Sequence, residues 1–248
     1  MQRVLHIFAA VLVLTVLVLT VLVLSVDTGF AELPAQTRRS IEKGAEERVS
    51  VRTSSKQFLL DRFDKKIELA RTSTKLSEEE RQQLIGSLEA ERALFAQREA
   101  LPFSPTMRPD LIAYFGKIKK AELALAKAYD NGIEYYSRKS LKDDAQALLT
   151  EKQKALAPQV VAVWGLNLEG DPEHVYNRTL KSDGTTQNGT WTIGEDKIVL
   201  RSPNPQAPGG AWILTCTVAQ DGRHFHATNQ LGNQFEGTLL IENQDTPR

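Results

Sequence analysis

The chain has 248 residues, 31 Lys and Arg against 31 Asp and Glu, and one cysteine. Balanced, interleaved charge excludes the basic footprint that nucleic-acid binding demands. A single cysteine excludes an intrachain disulfide framework. Without residues 1–31, the length suits one large domain or two small ones.

The N-terminus sets the address. Between Arg3 and Asp27 run 23 residues without Lys, Arg, Asp or Glu, built on Val-Leu-Val-Leu-Thr near-repeats. Met1-Gln2-Arg3 is a short basic n-region, and Gly29-Phe30-Ala31 supplies small residues for cleavage after Ala31. The apolar run also exceeds the ~20 residues that span a bilayer as a helix. Two outcomes are open: a cleaved signal peptide, or an anchor formed by residues 4–26. Either way residues 32–248 face the exported side. No cysteine lies near Ala31, so lipoprotein processing is not indicated. Export without disulfides points to a bacterial periplasm or cell envelope.

Residues 36–157 read as a helical, coiled-coil-like module. They are poor in glycine and rich in Ala, Glu, Lys, Arg and Leu. A first helix is expected over Ile41–Thr72. It is weak around the Ser/Thr-rich stretch 50–55 and firm where Leu60, Phe63, Ile67 and Ala70 keep 3–4 spacing. Ser77 and Glu80 form a capping box that starts a second helix, with Leu76 as a staple and Leu84, Ile85, Leu88 and Phe95 as its buried face. Pro102, Pro105 and Pro109 punctuate a loop, Pro109 being suited to a first helical turn. Then Leu111, Phe115, Ile118, Leu125, Tyr129, Ile133 (or Gly132) and Tyr136 trace a seam of 4- and 3-residue steps, interrupted at Glu122. A shorter helix restarts at Ser140–Asp143 and ends near Leu156, before Pro158. Short loops fold such helices back antiparallel, as a hairpin or small bundle.

Residues 158–243 read as an antiparallel β-meander of about seven strands. This region holds all three tryptophans. The expected strands are Val160–Leu168, His174–Leu180, Gly189–Ile193, Lys197–Arg201, Trp212–Val218, His224–Asn229 and Phe235–Ile241, separated by Gly-, Asp- and Pro-rich turns. Trp212, Leu214, Cys216 and Val218 share one face of their strand. Consecutive strands with tight turns curl into a half-barrel or small barrel. The fold class expected is α+β, helices first. Residues 32–157 carry 24 Lys and Arg against 20 Asp and Glu, and residues 158–248 carry 6 against 10. The offset allows weak attraction between the modules, but such mixed charges are ordinary solvated surface.

Gly189-Thr190-Trp191, Trp212-Ile213-Leu214, Asp221-Gly222, Asn229, Gly232 and Phe235-Glu236-Gly237 together resemble the small, lipocalin-like β module of uncharacterised exported bacterial proteins. The stretches Ser87–Arg92, Leu101–Pro105 and Lys127–Asp130 resemble the helical module that precedes it. The resemblance implies export and a two-part architecture. It implies no reaction and no functional residues.

Candidate chemistry is sparse. His224 and His226 share a strand face, and with His174 they could in principle make a three-histidine zinc site. Ordinary strand residues are the simpler reading. Cys216 has a nucleophile's chemistry but sits in an apolar alternating strand, as a buried small hydrophobe does. Asp143-Asp144 and Glu78-Glu79-Glu80 fall in first helical turns, where capping and the helix dipole account for them. Asn177 and Asn188 begin glycosylation sequons that are idle in a bacterial envelope. Trp164, Trp191, Trp212, Tyr176 and Phe225 either line a pocket for an apolar or sugar ligand or fill the core, and filling is the commoner use in small barrels.

No catalytic residue, metal or cofactor is therefore assigned. The expected function is that of a non-enzymatic exported protein whose helices space and present the β domain to a protein partner. The alternative is a β domain that binds a small apolar ligand or a glycan. Nucleic acid is not an expected partner, and membrane contact comes only through an uncleaved N-terminal helix.

Overall fold

A computed structural model describes residues 33–240 except Gly170 and Pro172. The signal or anchor expected in residues 1–31 lies outside them, as does the end of the last expected strand at Ile241. Among the described residues, no helix is long and apolar enough to cross a membrane.

The described residues form an α+β fold, with four helices followed by seven antiparallel strands that form a nearly closed barrel. The helices are α1 (Ala35–Arg71), α2 (Glu78–Arg98), α3 (Arg108–Arg138) and α4 (Lys142–Ala155). Helix α1 runs unbroken through the Ser/Thr-rich stretch. Ser55 is buried there, and the Ser54 hydroxyl bonds back to the Val51 carbonyl. The sequence expectation of a weak start was too cautious, because packing against α3 outweighs the low propensity of Ser and Thr. At α2 the capping box forms as expected: the Ser77 side chain accepts from the Glu80 amide, and the Glu80 carboxylate accepts from the Ser77 amide. Pro109 sits in the first turn of α3. Asp143 and Asp144 occupy the first turn of α4, where they suit the helix dipole, though no side-chain cap forms there.

Ion pairs show the helix directions. Arg48 meets Glu122 and Arg62 meets Asp110, so α1 and α3 are antiparallel. Asp64 meets Arg92 and Lys56 meets Glu99, so α2 returns along α1. The Tyr129 hydroxyl donates to Glu151 and Gly132 packs against Leu148, so α4 returns along α3. The seam of α3 is satisfied within the chain. Leu125, Tyr129 and Tyr136 pack with Ile41 and Leu148 in a core at the far end of the bundle. Gly132, rather than Ile133, is the fully buried member, because the Leu148 side chain lies where its Cβ would be.

The strands are β1 (Val160–Leu168), β2 (Val175–Lys181), β3 (Thr190–Ile193), β4 (Ile198–Pro203), β5 (Ala211–Val218), β6 (His224–Asn229) and β7 (Gln234–Leu240). Their spatial order is β2-β1-β7-β6-β5-β4-β3, every neighbouring pair antiparallel. The meander is thus rolled up by pairing its first strand with its last, Leu166 opposite Gly237. The remaining seam lies between β2 and β3, which run in the same direction and form no ladder. Residues 182–189 double back between them, Thr185 pairing with Thr190 as a single bridge. The Gln187 side chain stands in for a strand there. Its Oε1 accepts from the Thr179 amide, and its Nε2 donates to the Thr179 hydroxyl and the Asn177 carbonyl.

Helices and barrel share one hydrophobic core. Leu59 and Phe63 of α1, Leu88 and Phe95 of α2 and Leu111 of α3 are continuous with Trp164, Trp191, Ile198, Cys216 and Phe225 of the barrel. The α2–α3 loop makes the junction. Phe103 is fully buried edge-on to Trp164 and Trp191, at centroid distances of 5.3 and 6.2 Å. Phe115 lies 5.5 Å from Trp191.

Candidate functional site

The inward-facing rows of the strands divide into two halves. Toward the helices, Trp164, Leu180, Ile198, Cys216, Val218, Phe225 and Ala227 pack into the shared core. Two residues further along the same rows, in the direction away from the helices, the side chains border an open cavity, Leu166 and Leu200 still joined to the core. Leu166 and Leu168 of β1, Leu200 and Ser202 of β4, Trp212 and Leu214 of β5 and Phe235 of β7 line a cavity of about 300 Å³. Tyr176 and Arg178 of β2, Asn229 of β6 and Asn233 complete the lining. The rim carries the exposed apolar side chains of Leu168 and Tyr176, with exposed Leu231 in the adjoining β6–β7 turn.

This geometry divides the aromatic set singled out in the sequence. Trp164, Trp191 and Phe225 are core; the Trp164 and Phe225 rings stack at 4.4 Å, and the Trp191 indole N–H donates to the Lys181 carbonyl. Phe225 also lies across Gly237, where a Cβ would collide with its ring. Trp212 and Tyr176 line the cavity. The set is thus split between core and cavity wall.

The cavity wall is mostly aliphatic and aromatic, and its polar groups are unevenly satisfied. Asn229 uses its Oδ1 to accept from the Leu231 and Asn233 amides, which fixes the β6–β7 turn. Among the described residues no His, Cys, Asp or Glu lines the cavity, and Arg178 is its one formal charge. Among the described residues this guanidinium has neither an ion pair nor a hydrogen bond to protein, and it is only half-buried.

The histidines do not assemble. The His174 ring pairs with Asp171, that of His224 with Asp221, and His226 lies 3.8 Å from Glu236. Each is an exposed local pair, and among the described residues no three His, Cys, Asp or Glu side chains gather as a metal would require. Cys216 is fully buried, and burial pushes its thiol up to about 12, the state of an inert small hydrophobe rather than a nucleophile.

One ionisable residue escaped the sequence reading. Glu91, on the buried face of α2, reaches the junction between helices and barrel. Burial pushes its carboxyl up to about 7, against hydrogen bonds from Ser104 and Phe103 that favour the charge. Its Oε1 accepts from the Ser104 amide at 3.1 Å, and its Oε2 lies 2.5 Å from the Ser104 hydroxyl. A hydroxyl can accept as well as donate, so the protonated acid is satisfied at that position too. Gly222, in the β5–β6 turn at φ +69°, lies against this carboxyl, and a Cβ there would overlap it. Nearby, buried Arg108 donates from Nη1 to the Glu195 carbonyl in the β3–β4 turn. These groups tie the two turns to the helices and seal that end of the barrel.

Comparison with protein-family models, with curated proteins and with solved structures finds no match for this chain.

Proposed function

We propose that this protein binds a small, largely apolar molecule in the open end of its barrel, and that it does so without catalysing a reaction. The observation that carries the reading is the cavity itself. Small barrels ordinarily fill their interior with side chains, whereas here residues of β1, β2, β4, β5, β6 and β7 border ~300 Å³ of space, within the range of small-molecule sites. A lining without His, Cys, Asp or Glu offers no acid–base pair and no activated nucleophile, which supports binding over chemistry. The apolar stretch of residues 4–26 supports export, and the likeness of the β region to lipocalin-like modules of exported bacterial proteins agrees with it. Presentation of the barrel to a protein partner has weaker support. The seam of α3 is spent inside the chain, and the exposed apolar side chains of the helices, Val49, Leu69 and Leu123, are scattered.

The test is a titration of the full-length protein with straight-chain primary alcohols of increasing length, followed by calorimetry and tryptophan fluorescence. Saturable one-to-one binding with an optimum chain length is expected. A linear, non-saturating response to every member would overturn the reading.

A further inference from the structure

We infer that the cavity selects an amphiphile with an anionic head, a single-chain carboxylate being its simplest form, and that Arg178 holds the head. The inference rests on the reading of the cavity as a ligand site and specifies the ligand's chemistry. Three observations carry it. First, among the described residues Arg178 is the only charge in the lining. Its cross-strand neighbour is Trp164, an apolar partner. The half-buried guanidinium makes no ion pair there, so its donors are open to charge-assisted hydrogen bonds to an anion supplied from outside.

Second, the lining holds further polar groups that can donate. The Asn229 Oδ1 is already occupied by two turn amides, which leaves its Nδ2 hydrogens to point elsewhere. The Trp212 indole N–H and the hydroxyls of Tyr176 and Ser202 also have no protein partner among the described residues. Charged acceptors form the strongest bonds with such a set, and the planar guanidinium fork matches a carboxylate in two-point geometry.

Third, the remaining wall is Leu166, Leu168, Leu200, Leu214 and Phe235, which offers a tail nothing but dispersion and desolvation. A methylene occupies about as much space as a water molecule, ~30 Å³. A volume of about 300 Å³ therefore accommodates roughly ten carbons.

The experiment compares sodium decanoate with 1-decanol by calorimetric titration of the full-length protein, its Arg178→Gln variant and its Arg178→Lys variant. Wild type is expected to bind decanoate at least about tenfold more tightly than decanol, the scale of a hydrogen-bonded charge pair. Arg178→Gln should bring decanoate down to the affinity of decanol and leave decanol unchanged. Arg178→Lys should keep part of the preference. Because the guanidinium pairs with no protein group, thermal unfolding of ligand-free Arg178→Gln should match wild type, which separates a lost ligand contact from a damaged fold. Equal affinities for the two ligands, or an unchanged preference in Arg178→Gln, would overturn the headgroup inference and leave the cavity reading standing. Saturable binding of neither would overturn both.

Discussion

At the helix end of the barrel, Phe103 is completely buried edge-on to Trp164 and Trp191, whereas at the opposite end Trp212 and Phe235 face a cavity of about 300 Å³. The strands supply similar residues to both ends, since Trp164 and Leu166, or Leu214 and Cys216, are successive members of one inward row. What differs is the rest of the chain. The α2–α3 loop brings Phe103 and Ser104 to one mouth, the first residue of α3 brings Arg108, and α2 adds Glu91. At the other mouth, among the described residues, stand the barrel's own turns. One end is packed against the helices, and the other keeps an open, largely apolar wall.

The sharpest way to break this contrast is to remove the plug. Phe103→Ala deletes a ring with no exposure that touches two indoles, and should cost about 3–5 kcal/mol in urea unfolding. A loss below about 1 kcal/mol would mean that the helix end is not held by this contact.

Next in size is a pH effect confined to the sealed end. Folding raises the Glu91 carboxyl from an ordinary 4.5 to about 7. Between those values the folded protein holds a proton that the unfolded chain releases. The contribution is therefore fully present below about pH 4.5, falls as pH rises, and above about pH 7 stability is lower by about 3 kcal/mol. Glu91→Gln should flatten the stability profile between pH 5 and 8, measured by urea midpoints. An equally steep fall in that variant would assign the slope to other groups.

The smallest effect is expected at the open end. Leu214→Phe adds volume where space exists, so stability should stay within about 1 kcal/mol of wild type while alcohol and decanoate binding is lost. A large destabilisation would show that the open end is as tightly packed as the other.

The strands were legible because period-two alternation and glycine-rich turns are local signals. Val160–Leu168 and His224–Asn229 were read to the residue, and the other strands to within one or two at an end where described. Alternation also shows that Trp164, Trp212 and Cys216 point inward. It does not tell which inward residues meet a neighbour, because the neighbour comes from a loop far earlier in the chain. For the same reason Glu91 reads in Ser-Leu-Glu-Ala-Glu-Arg as a surface acid of an amphipathic helix. Only its packing against Gly222 makes it a buried one. Arg178 was equally silent in sequence: an arginine in a strand gives no local sign that its strand partner is an indole and that no acid faces it.

The seam beside β2 has a consequence of parity. An antiparallel ring requires an even number of staves, since direction must alternate all the way round, and this ring has seven. No choice of side chains can give it an uninterrupted antiparallel ladder. Substitution at Gln187 would loosen or tighten the join but would neither create nor abolish it, and only the gain or loss of a whole strand could.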